Sequence, residues 1–336
     1  MNINKYLDVI NACRFCFMCR HLSAVGNVTF KEADTPRGRA LILDKVRMDN
    51  SLIANADYIK TIYDADLSAA CRRHCVSHYD ENSLLLAARQ DIVAAGLAPP
   101  SVAALARDLQ NVDFQVRGAG EILYYIDTYS QRQMQLVEAF DGIAGNVATI
   151  SGGDTGKALK ILGFVNEARE VAAKFAAAVS TSGARTLVTS CPASYDALKH
   201  DFPIDGVTVL HSSEFLLQRG LKAKAATTAC YLDSDFLKAY NNMAAPRELL
   251  LALGYKLKQF ATNDEESFSA GEGAAVYDRV NPKLTAKLCE RICDLVDVER
   301  DLLITSSPYT LHVLKTFRPQ LNIISIEQAA CRALEA

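Results

Sequence analysis

The chain has 336 residues, half of them hydrophobic, a net charge of -3 and ten cysteines. That length accommodates two or three domains around a substantial core, and the near-neutral balance argues against a polyanion such as nucleic acid as the main partner of its surface. The N-terminus Met1-Asn2-Ile3-Asn4-Lys5-Tyr6-Leu7 has no long apolar run, and no stretch reaches the roughly eighteen apolar residues of a spanning helix. We therefore expect no signal peptide and no transmembrane segment, and a soluble cytoplasmic protein that meets the inner membrane only through a partner.

Five of the ten cysteines fall in the first 75 residues, and reducing compartments turn such clusters toward metals rather than disulfides. The stretch Cys13-Arg14-Phe15-Cys16-Phe17-Met18-Cys19 sets thiols at intervals of three. Bacterial ferredoxins grip 4Fe-4S clusters with C-x2-C-x2-C-x3-C-P, whose fourth cysteine serves the other cluster. Here the fourth position is Ser23, which cannot replace a thiolate, so the missing ligand is sought in a second run. Ala65, Ser68, Cys71 and Cys75 repeat the spacing, with the first two cysteines replaced and Val76 where proline would stand. By the crossing rule Cys75 completes the cluster begun by Cys13, Cys16 and Cys19, and the other site, left with Ala65, Ser68, Cys71 and Ser23, is lost. Zinc and a plain set of buried cysteines are the competing readings. Zinc sites usually draw on C-x2-4-C pairs, whereas a dense triplet suits the separate irons of a cube.

Residues 1–105 read as a small all-helical domain. Arg39 to Arg47 opens after Pro36-Arg37-Gly38, and Leu84 to Ala95 follows Asn82-Ser83, which can cap it, and stops at Gly96 and Pro99-Pro100. The cluster cysteines then fall in loops and helix starts. From Glu121 the texture changes: short β-rich runs (122–126, 185–189, 207–210, 302–305, 322–325) alternate with helical stretches such as Ala158 to Val179, the pattern of parallel α/β units. Thr189-Ser-Cys-Pro-Ala-Ser-Tyr-Asp-Ala-Leu-Lys199 matches Thr305-Ser-Ser-Pro-Tyr-Thr-Leu-His-Val-Leu-Lys315 in register, which predicts a duplicated lobe, 118–220 and 221–336. The expected fold is α+β and multidomain, a helical domain followed by two repeated α/β lobes with parallel sheets. Ser151-Gly-Gly-Asp-Thr-Gly-Lys157 fails as a phosphate loop, because that motif needs glycine at 151 and Ser or Thr at 158, where Ala158 stands. Gly152 and Gly153 are instead expected in a tight turn. Cys289 and Cys293, four apart on one helix face, read as small core residues, while Cys191, Cys230 and Cys331 are scattered.

With the triplet, Asp34-Thr-Pro-Arg-Gly-Arg39, Cys71-x3-Cys75, Ala88-Arg-Gln-Asp-Ile-Val-Ala-Ala-Gly96 and two repeated lobes, the chain resembles along nearly its whole length the iron–sulfur subunits of glycolate oxidase, anaerobic glycerol-3-phosphate dehydrogenase and heterodisulfide reductase. The resemblance implies a two-cluster ferredoxin-like domain joined to two cysteine-rich lobes with cysteine-cysteine-glycine motifs. It also implies electron relay between a flavin-bearing dehydrogenase subunit, acting on a 2-hydroxy acid or a polyol phosphate, and a further acceptor. The chain departs from that pattern throughout the lobes. Ser151-Gly152-Gly153 and Ser269-Ala270-Gly271 stand where the signatures would be, and Cys191-Pro192-Ala193-Ser194 and Ser307-Pro308-Tyr309-Thr310 where Cys-Pro-x-Cys would be. Cys230 remains, preceded by Thr227-Thr228 rather than His-Asp.

The lobes are accordingly read as a scaffold. Arg14, Arg20, Arg72 and Arg73, with His21, His74 and His78, flank the intact site, where positive charge favours a reduced cluster; as single residues they read equally as solvated charges. Arg37 and Arg39 belong to the signature that the resemblance carries. No acid, base or nucleophile stands out, so catalysis is assigned to a partner's flavin. The expected role is a single-cluster electron-transfer subunit holding 4Fe-4S through Cys13, Cys16, Cys19 and Cys75, with FAD on the partner. The alternative is a structural or redox-sensing subunit whose cluster lies off the electron path.

Overall fold

The computed structural model describes residues 1–14, 16–145, 147–223, 225, 227–260, 268–297 and 300–335. Phe15, inside the cysteine run, and the side chain of Arg73 lie outside the described residues.

Among the described residues of the first 110 the regular elements are all helices, including Leu7–Ala12, Met18–Leu22, Ala24–Thr29, Pro36–Met48, Ala56–Tyr63, Ala70–His74, Glu81–Ala94 and Pro100–Gln110. Pro36–Met48 starts earlier than its apolar pattern suggests. Thr35 caps it by accepting from Gly38 N–H, and Pro36 sits in the first turn, where its missing N–H costs nothing. Glu81–Ala94 also starts early. Its cap is Asp80, which accepts from Ser83 N–H at 3.3 Å, while Asn82 is drawn away to donate to Leu67 C=O at 3.1 Å.

Two parallel sheets follow. The first has strands β1 (Gln115–Arg117), β2 (Ile122–Ile126), β3 (Ala148–Ser151), β4 (Thr186–Thr189) and β5 (Thr208–His211), in the order β1-β3-β2-β4-β5. All of its pairings are parallel except that of β1 with β3. The second has β6 (Thr228–Leu232), β7 (Lys256–Leu257), β8 (Leu303–Thr305) and β9 (Ile323–Ser325), all parallel, in the order β7-β6-β8-β9. Leaving out the added β1, both sheets have the order second, first, third, fourth, which is the duplication announced by the Thr189 and Thr305 stretches. The chain is thus a mixed α/β protein with two repeated parallel sheets.

The centre of β2 is buried on both faces, as a parallel sheet covered by helices requires. Leu123 and Tyr125 pack with Phe175, Leu187 and Val209 on one face, and Tyr124 stacks on Phe140 at 4.0 Å on the other. The helical stretch expected from Ala158 to Val179 is two helices, Lys157–Leu162 and Val165–Ser182. Gly163 separates them with φ 101°, and a Cβ there would lie 2.5 Å from Arg89 C=O, so the backbone of Glu81–Ala94 packs into the break. Cys289 and Cys293 are buried on the helix Pro282–Cys293, in the core as expected.

The helical segment does not stand apart from the lobes. One continuous apolar core runs from Ile3, Leu43 and Leu84 through Tyr124 and Phe140 to Leu249, Leu303 and Ile326. Fully buried Arg89 reinforces the junction by donating to Ile62 C=O and Ala65 C=O at 3.0 Å and to Ile161 C=O at 3.2 Å. No helix among the described residues is long and apolar enough to cross a membrane.

Candidate metal centre

Cys13 ends the helix Leu7–Ala12 in extended conformation, its N–H bonded to Ile10 C=O at 3.3 Å. Cys16 is exposed in the loop that follows, and Cys19 lies in the helix Met18–Leu22. Cys71 sits in the helix Ala70–His74, and Cys75 terminates it. All five line one cavity, which encloses about 760 Å³ including the solvent at its mouth. The structure thus brings Cys13, Cys16, Cys19 and Cys75 together, and Cys71 with them.

The substituted positions of the two runs have taken structural work. Ser23 caps Ala24–Thr29 by accepting from Gly26 N–H at 3.1 Å, and it donates to Asp34 C=O at 3.0 Å. Ala65 and Ser68 are buried in a loop where Leu67 and Ala69 take left-handed φ of 54° and 58°. The second lobe clamps this loop. Tyr240 donates to Leu67 C=O, Tyr277 to Asp64 C=O and Asn281 to Tyr63 C=O, while Asn82 of the helix Glu81–Ala94 donates to Leu67 C=O from the other side of the junction. Gly273 approaches so closely that a Cβ there would stand 2.2 Å from Leu67 C=O.

Arg37 braces the first run. It pairs with Glu32 at 2.6 Å, lies over the Phe17 ring at 4.5 Å and donates to Cys16 C=O at 3.4 Å. Arg39 is 2% exposed and pairs with Glu81 at 2.8 Å; Arg20 pairs with Glu32 and Arg72 with Asp80. Arg14, Arg37, Arg39 and Arg72 all line the cavity, as do the first turns of the long helices Pro36–Met48 and Glu81–Ala94, whose free N–H ends favour negative charge.

Burial lifts the Cys19 thiol to about 11; a backbone hydrogen bond from Arg37 lowers it, and Glu81, Cys13 and Cys16 raise it further. Burial raises Cys71 well above the ordinary thiol value. Without a cation these thiols stay protonated, whereas a coordinating thiol is deprotonated outright. Among the described residues no three His, Cys, Asp or Glu side chains are arranged to hold a single ion. Soft thiolates are the ligand type that iron–sulfur clusters take, one to each iron. Sequence reasoning missed three buried groups in these walls, Asp66, Tyr79 and Asn82, and the half-buried Glu81, because they carry no metal-ligand spacing.

A second cavity lies between the lobes, lined by Asp127, Asp154, Cys191, Glu272, Ser307 and Tyr309 among others. Asp154 and Glu272 directly follow the Ser151-Gly-Gly and Ser269-Ala-Gly stretches, so each repeat places an acid at the same point; that parallel was the available signal. Burial raises Asp154 to about 6 and Glu272 to about 7. Asp154 accepts from Gly156 N–H at 2.7 Å and Ala158 N–H at 3.2 Å, and Glu272 from Ser234 at 3.0 Å and Asp235 N–H at 2.6 Å. The repeat extends to Tyr124 on Ser190 at 2.8 Å and Tyr231 on Ser306 at 2.7 Å. Cys191 and Cys230 are both buried, one beside this cavity and one within β6.

No family model and no curated protein matches the chain. The crystal structure of a hypothetical protein from Helicobacter pylori resembles it with a TM-score of 0.63 at 10% identity, over 100% of this chain and 76% of the other. At that identity the likeness is one of fold.

Proposed function

We propose that the protein is a single-cluster electron-transfer subunit of the kind that serves a flavin-containing oxidoreductase, with Cys13, Cys16, Cys19 and Cys75 holding one 4Fe-4S cluster in a ferredoxin-like helical domain. The observation that carries this reading is the convergence of both cysteine runs on one cavity beside a patch of exposed apolar side chains, Phe17 (68% exposed), Met18 (52%) and Val76 (79%). When bound, such a cluster supplies one-electron chemistry. The chain's own residues then have distinct tasks: the four cysteines ligate, Arg37 fixes the Cys16 loop, and Arg39 and Arg72 supply positive charge at the cavity. The apolar rim offers a flavoprotein partner a docking edge close to the thiols. The lobes, whose remaining polar groups largely bond one another, serve as scaffold in a cytoplasmic complex.

A second reading, a cluster that only staples the fold or senses redox state, is favoured by the clamp of Tyr240, Gly273 and Tyr277 on the loop that opens the second run. Purification of the chain with its partner and rapid mixing with the partner's substrate separates the two. Electron transfer predicts appearance of the reduced cluster's paramagnetic resonance within the turnover time. A cluster that stays oxidised through many turnovers contradicts it.

A further inference from the structure

The wall behind the cysteines contains a group of buried polar atoms for which the protein supplies no partner. They are Arg39 Nε and Nη2, Tyr79 Oη and Asp66 Oδ2, and all three residues line the cysteine cavity. Arg39 is 2% exposed and Tyr79 5%. Most buried polar groups in folded proteins find partners, because an orphan loses its hydration without compensation. A guanidinium that spends one nitrogen on Glu81 and leaves two without acceptors, next to a hydroxyl in the same state, marks a place where an acceptor is missing. Arg14, Arg37 and Arg72 line the same cavity and favour a negatively charged one, against the carboxyls of Asp66 and Glu81 that also face Arg39. Tyr79 and Arg39 share the cavity with Cys13, Cys19 and Cys71, and both lie beside the carboxyl of Glu81. Two long helices also turn their first turns to the cavity.

We propose that Tyr79 and Arg39 are hydrogen-bond donors to the sulfur atoms of the cluster and its thiolates, and that they set its potential and its retention. The inference rests on the cluster reading above. Donors to the sulfurs stabilise the more negative, reduced state, so they raise the potential. Ligand-supporting groups of this kind typically change metal affinity by about 10–100-fold. Neither residue ligates iron; both are positioning residues.

Tyr79→Phe is the sharpest test, since it removes one oxygen that has no protein partner. In the iron-free chain it is expected to leave the melting temperature unchanged or raise it, because an orphan hydroxyl is removed from a buried place. In the anaerobically reconstituted chain it is expected to keep the wild-type iron and sulfide content. The ratio of reduced to oxidised cluster at a fixed potential should fall about tenfold, equivalent to about 59 mV for one electron, and iron loss to a chelator should become about tenfold faster. Arg39→Gln combined with Glu81→Gln removes the buried charges as a pair and should lower the potential in the same direction. That double variant carries the test if Tyr79→Phe does not fold. An unchanged midpoint potential and chelator rate in a folded, iron-replete variant would overturn the proposal while leaving the cluster standing. Wild-type chain that holds no iron or sulfide after reconstitution would overturn both.

Discussion

Cys71 and Cys75 sit one helical turn apart but in different surroundings. Cys71 lies inside the helix Ala70–His74 with its thiol directed at Cys19 C=O at 3.5 Å, whereas Cys75 is released at the end of the helix in extended conformation. If the two runs interleave, Cys75→Ala should strip or cripple the cluster. Cys71→Ala should leave iron content and the reduced-state resonance nearly unchanged, and the reverse pattern would show the register to be wrong. Ser23 tests the same rule from the other side. Its hydroxyl caps a helix and meets Asp34 C=O, so Ser23→Ala should cost about 1 kcal/mol in chemical denaturation while the iron content stays constant. Asp154 gives a pH test. Its folded carboxyl is raised to about 6, so the folded state keeps the proton that the unfolded state gives up near 4, and stability falls as pH rises through that window. Asp154→Asn retains the oxygen that accepts from Gly156 and Ala158. Relative to that variant, the wild type should lose about 3 kcal/mol between pH 4 and 7, because each pH unit between the unfolded and the folded titration costs about 1.4 kcal/mol. A flat difference between the two denaturation series would contradict the assignment.

At the scale of elements, the loop between Asp64 and Ala69 links the candidate centre to the second lobe. Gly273→Ala should push Cβ into Leu67 C=O, cost about 1–3 kcal/mol, and speed iron loss without touching a thiol. Unchanged melting temperature and iron retention would show that the loop relaxes freely. Elements of this size were legible in the sequence where one residue class repeats at a fixed interval. The triplet Cys13, Cys16, Cys19 announces itself because dense thiols have few uses, and 122–126 reads as a strand because β-branched and aromatic residues run together. Strands β1, β3, β6 and β7 were not legible in this way. Two of these four lie at sheet edges, and β1 and β7 are short, so few apolar residues mark them. The break at Gly163 was invisible because its cause, the backbone of Arg89, lies on another helix. The walls of the cavity were hidden for the same reason: Asp66 and the Tyr79-Glu81 stretch meet Arg39, which the sequence had singled out, only after folding.

The whole molecule joins a helical segment and two repeated sheets through one core, and five of its ten cysteines, those nearest the N-terminus, line one cavity. Cys191 and Cys230 lie in the lobes, so replacing both with Ser should leave the iron content at the wild-type value, and a loss of iron would place a metal in the lobes. The central claim is that one 4Fe-4S cluster resides in the helical segment. The direct measurement is the iron, zinc and acid-labile sulfide content of the anaerobically purified and reconstituted chain, with resonance spectra before and after dithionite. The expected result is about four iron and four sulfide per chain with a signal that appears on reduction. Zinc in place of iron, without sulfide and without such a signal, would contradict it.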